Sequence, residues 1–128
     1  LAAGVSPRSL AAIESLVDGF AQLVEDGANA EALAEADHAL LREVIDATAS
    51  RVLALCLNPV LSVVDEIPGL AAAIYADPEA SLAAWRFLLA WLRAPEVSAI
   101  EGLVDTMAAR DALTIARFSP RRAAGPDA

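Results

Sequence analysis

His38, the one histidine of the chain, follows Asp37 in the stretch Ala36 to Asp46 (ADHALLREVID). An imidazole beside a carboxylate is the raw material of a metal site or an acid–base centre. The spacing argues against both, because neighbours on a helix point about 100° apart, whereas side chains that grip one ion stand three or four positions apart. Asp37 falls on an apolar stripe formed by Leu33, Leu40, Leu41, Val44 and Ile45. A carboxylate there must find hydrogen bonds or a counter-charge to offset its desolvation. A tryptophan N–H, a hydroxyl or Arg110 from another helix is expected to supply it, and His38, turned off the stripe, is expected to be exposed.

Other chemistry is thinly represented. The sequence holds no glycine-rich phosphate loop, no nucleophile elbow and no spaced Cys/His cluster, and one histidine leaves little for proton transfer near neutral pH. Enzymes are the disfavoured class, and neither a metal nor a cofactor is expected. Cys56, the single cysteine, sits in the apolar run Val52 to Leu57. An intramolecular disulfide is impossible, and a buried, inert thiol in a cytoplasmic protein is expected.

Nine basic against eighteen acidic residues give a net charge of −9. Such a chain repels a phosphate backbone, whose binding needs lysine or arginine. No apolar run approaches the roughly 20 residues of a spanning helix, and no basic region followed by an apolar signal opens the chain. A soluble protein with no membrane partner is expected. The opening at Leu1 in place of a methionine suggests a piece of a longer protein.

Helices must position whatever site exists. Ser6-Pro7 reads as a cap and first helical residue, followed by Leu10, Ile13, Leu16, Val17, Phe20, Leu23 and Val24 at helical spacing, with a stop at Asp26-Gly27. Asn29 caps a second helix that carries the Asp37 stripe and stops near Thr48 to Ser50. A third apolar segment, Arg51 to Glu66, is interrupted at Asn58-Pro59, where proline is expected to kink or divide it; both sides look too apolar for the surface. Pro68-Gly69 marks a turn before a short helix to Tyr75. Asp77-Pro78 opens a helix with Leu82, Trp85, Leu88, Leu89 and Leu92, in which Trp85 and Trp91 face different ways. Pro95-Glu96 opens a last long helix with Val97, Ile100, Leu103, Val104 and Met107, continuing through Arg110 and Asp111 to Ile115 and Phe118. Residues 119–128 read as a flexible tail. The expected fold is all-α, an antiparallel bundle of about six helices spanning residues 1–118.

Two stretches, EALAEADHALLREVIDATASRVLALCLNP and YADPEASLAAWRFLLAWLRAPE, resemble the C-terminal effector domain of FadR-type regulators in the GntR family. The resemblance runs from Leu1 to about Phe118. The family pattern is an aspartate with a histidine four positions on, a small-residue break of the kind ASGNP, and two further histidines on the last two long helices. Asp37 matches the aspartate, and the break reads ATASR from Ala47 to Arg51. Leu41, Trp85 and Met107 stand where the three histidines would be, and His38 is off the stripe and cannot replace them. The resemblance therefore implies no metal, and an apolar effector pocket of Asp37, Leu41, Trp85, Met107 and Arg110. The regulator that gives the FadR type its name is similar in lacking the histidine set and binds fatty acyl-CoA in this domain, and YADPEAS resembles its counterpart there, so the resemblance implies an acid with an apolar body as effector.

The family further implies a homodimer, and contact with operator DNA only through an N-terminal winged helix that lies outside these residues. Its first effector-domain helix is mostly missing too, which would leave apolar surface uncovered. Two alternatives stand beside this reading: the effector domain of a TetR-type regulator, and a helical dimerisation module that binds nothing.

Overall fold

The computed structural model describes residues 5–118, all of whose regular elements are helices: α1 (Pro7–Glu25), α2 (Ala30–Thr48), α3 (Arg51–Glu66), α4 (Leu70–Ile74), α5 (Pro78–Arg93) and α6 (Ala99–Phe118). The all-α bundle of six helices expected from the sequence is the observed architecture. The tail expected at 119–128 lies outside the described residues.

Local chemistry sets the helix starts. Ser6, Asn29 and Asp77 each accept the backbone N–H three residues on, from Ser9, Ala32 and Ala80, which satisfies one of the orphan donors of a first turn. Ser50 does the same for Leu53 at the start of α3. Helix α1 ends in a turn where Gly27 takes φ +65° and the N–H of Ala28 reaches back to the Leu23 carbonyl. That conformation suits glycine. The α2–α3 break is less comfortable, because Ala49 holds a left-handed φ of 53°, which costs an L-residue about 1–2 kcal/mol.

The core lies among α1, α2 and α5. Ile13, Val17 and Phe20 of α1 meet Leu33 and Leu40 of α2 and Leu82, Trp85 and Leu89 of α5, with Tyr75 closing one end. Each stripe recurs at three or four residues, so each helix buries one face. Outside the stripes, Arg93 of α5 reaches Glu14 of α1 at 2.9 Å on the surface.

Helix α3 departs from expectation in three ways. It runs unbroken through Pro59. The carbonyl that proline deprives of a partner belongs to Leu55, which is exposed, so solvent can take it and the helix need not divide. Nor is the segment buried: Val52, Leu55, Val60 and Val63 are all at least half exposed, and Leu61 alone is buried. The helix has a polar face of Arg51, Asn58, Ser62 and Asp65 and a wide apolar face opposite it, and α2 and α4 cover only the part of that face around Leu61. Cys56 is likewise exposed, not buried. The last helix begins at Ala99, after a turn through Pro95 to Ser98, and none of its residues is fully buried.

Candidate functional site

Asp37 projects from α2 to a junction with α4 and α5. Trp85 Nε1 donates to its Oδ1 at 2.6 Å, and Tyr75 Oη donates to its Oδ2 at 2.7 Å. Both oxygens thus hold a strong, charge-assisted hydrogen bond. Of the partners anticipated for this carboxylate, the tryptophan and a hydroxyl are the ones used. Burial pushes the Tyr75 phenol far above its ordinary value, and the adjacent Asp37 charge adds to the shift. Phenol, indole and carboxylate form a closed strut across three helices.

Arg110 goes elsewhere. Its Nη2 donates to Ser81 Oγ at 2.9 Å, and Ser81 is fully buried on α5. This bond ties α6 to the bundle and frames a groove of about 450 Å³ between α5 and α6. Ile74, Ala83, Ala84 and Phe87 form one wall, and Leu103, Met107 and Leu113 the other. Arg110, Arg117 and Asp77 supply its charge. An apolar trough with a few convergent polar groups is the common form of a small-molecule site.

The five residues expected in one effector pocket therefore separate. Met107 and Arg110 line the α5–α6 groove, whereas Asp37 and Trp85 make the closed strut and Leu41 packs beside the core. Sequence reasoning missed Ser81 and Phe87. The position of Ser81, four residues before Trp85 on the same helix face, was the available signal for the first.

His38 is a correction. It is 7% exposed, because the flank of α2 turned away from the core stripe is covered by the end of α3, where Asp65 Oδ1 lies 3.7 Å from Nδ1. Helical angle locates a residue relative to its own stripe but says nothing of a second helix on the other flank. Trp91, half-buried at the end of α5, donates to the Glu96 carbonyl at 2.9 Å and pins the turn into α6. Among the described residues no three His, Cys, Asp or Glu side chains converge, and no helix is long and apolar enough to cross a membrane.

No family model matches the chain, and no curated protein and no solved structure is detectably similar to it.

Proposed function

We propose that this chain is the ligand-sensing and dimerisation domain of a bacterial regulator of the GntR/FadR type, in which a small acidic effector with an apolar body modulates an attached DNA reader. The observation that carries this reading is the α5–α6 groove: apolar on both walls, with the Arg110 guanidinium held at its side by Ser81. A strongly acidic chain that keeps arginine in an apolar trough is suited to an anionic amphiphile. The effector would act by population shift, since a molecule wedged against α6 favours one placement of that loosely packed helix over another. In a homodimer those placements set the spacing of two readers. The partners proposed are thus a small effector, a second copy, and operator DNA through the reader only; catalysis has no part in this reading.

Calorimetry with a fatty acyl-CoA and with small dicarboxylates tests it. The acyl ligand is expected to bind and to lose at least about tenfold in affinity on Arg110→Ala, in line with the loss of one charge-assisted contact. Binding of the short diacids alone, or indifference to Arg110, sinks the acyl reading.

A second reading draws on the exposed apolar residues of α3, which suit a helical dimerisation module with no ligand. Sedimentation equilibrium in the presence and absence of acyl ligand separates the two: a dimer that no ligand perturbs favours the second.

A further inference from the structure

The groove has a direction. Helices α5 and α6 are joined by residues 94–98 and run back along each other, so that Ser81 near the start of α5 meets Arg110 well along α6. The far end, toward the connecting turn, is walled by Phe87 of α5 and Leu103 of α6 and carries no charged lining residue among the described residues. The near end holds Arg110, Arg117 and Asp77. Asp77 already accepts the Ala80 N–H as the cap of α5, and two guanidinium groups against one carboxylate leave that end net positive. Of the five N–H donors of Arg110, the hydrogen bond to Ser81 is the one engaged among the described residues.

We infer that the groove takes a linear, single-headed anion lengthwise, its carboxylate at Arg110 and Arg117 and its alkyl tail running toward Phe87, which acts as the end-stop that sets chain length. The inference rests on the effector reading above and specifies the ligand class and orientation. Arg110 and Leu103 are separated by two helical turns, about 10 Å at 1.5 Å per residue. An extended alkyl chain advances about 1.25 Å per C–C bond, so roughly eight carbons fill that distance. The head needs no nucleotide, because the charged lining is confined to one end and the rest of the trough offers a phosphate nothing. Ser81 stays in place as the group that orients Arg110, so its hydroxyl is a positioning element and not a contact of the ligand.

Calorimetry with plain sodium carboxylates of increasing length, with 1-octanol as a headless control, tests this on the chain as it stands. Octanoate is expected to bind at least about tenfold more tightly than octanol, because only the carboxylate offers a charge-assisted partner to Arg110. Affinity should rise about twofold per added methylene, half the gain of full burial in so open a groove. It should level off near eight carbons, where the tail reaches the end-stop. Phe87→Ala should move the levelling point to longer chains and Phe87→Trp to shorter ones, while Arg110→Gln should erase the preference for octanoate over octanol. Equal binding of octanol and octanoate overturns the inference, as does a length dependence indifferent to both Phe87 variants. Binding of acyl-CoA without any response to plain carboxylates also overturns it and leaves the effector reading standing, whereas silence toward both classes removes both. A groove occupied by a second copy would appear as a dimer dissociated by Met107→Asp and unmoved by carboxylates, which again rejects the inference.

Discussion

Helices α2 and α3 are neighbours of similar length with aliphatic side chains in abundance, yet one is built into the core and the other lies on the outside. In α2 the apolar residues recur on one stripe, and Leu33, Ala34, Leu40 and Ile45 are buried. In α3 they also form a face, opposite Arg51, Asn58, Ser62 and Asp65, yet Val52, Val60 and Val63 on that face are at least half exposed. The difference teaches that an apolar face sets what needs covering, while the neighbouring helices decide how much of it is covered. Helix α2 packs against α1 on one side and α3 and α4 on another, whereas α3 has only α2 and α4 along part of its apolar face, and the rest of that face stays uncovered.

The sharpest way to break this contrast is to cut into the α1–α2–α5 core. Phe20 is completely buried, so Phe20→Ala should cost about 3–5 kcal/mol, the sum of lost transfer energy and the cavity left behind. Chemical denaturation followed by circular dichroism would measure it. A loss under about 1 kcal/mol would mean that the core is not where the contrast places it.

Next in size is Asp37→Ala, which leaves the Trp85 N–H and the Tyr75 hydroxyl without their acceptor. Two stranded donors on buried side chains should destabilise the fold by about 2–4 kcal/mol. Asp37→Asn should cost less, because its carbonyl still accepts one of the two bonds. The order of the two midpoints in urea is the test, and a reversed order would show that the amide NH2, set against a donor, costs more than the one retained bond returns.

The same strut predicts a loss of stability in alkali. The folded Tyr75 phenol titrates above its ordinary value near 10, so its stabilising effect is fully present below that pH. As pH rises past about 10, the unfolded chain releases this proton while the folded chain keeps it, and stability should fall by up to about 1.4 kcal/mol per pH unit. Tyr75 is the sole tyrosine, so phenolate absorbance follows it without overlap. In Tyr75→Phe that slope should vanish; if the wild-type phenol instead titrates near its ordinary value, the strut is open.

The smallest effect is expected on the surface side of the comparison. Leu55→Ala in α3 should change the stability of the monomer by less than about 0.5 kcal/mol, and Cys56 beside it should react stoichiometrically with a thiol reagent in native buffer. Labelling that slows as protein concentration rises would show a second copy covering α3 and would move this helix from the exposed to the buried side of the contrast.

Much of this was legible in the residues. Stripes at Ile13, Val17 and Phe20, and at Leu82, Trp85 and Leu89, gave α1 and α5 their buried faces, and the caps at Ser6, Asn29 and Asp77 marked three starts, because both signals depend on contacts within a few residues. The need of Asp37 for a donor was also legible, and a tryptophan N–H was among its expected partners, though not which tryptophan. Three features were not. His38 was placed outside and is covered by α3; Cys56 and its neighbours were placed inside and are exposed; Arg110 was offered to Asp37 and binds Ser81. Each turns on which helix lies against which flank.

Periodicity and capping are properties of one segment, and they determined on their own that this chain is helical, where most of its helices begin, which faces are apolar and that one carboxylate must be paired. Which faces meet is a property of pairs of segments far apart in the chain. Tertiary structure alone decided that α3 shields His38 with its end while exposing its own apolar side, and that the trough forms between α5 and α6. The physical reason is that hydrophobic burial has no direction: an apolar face specifies that it will be covered, and only the packing of the whole chain chooses by what.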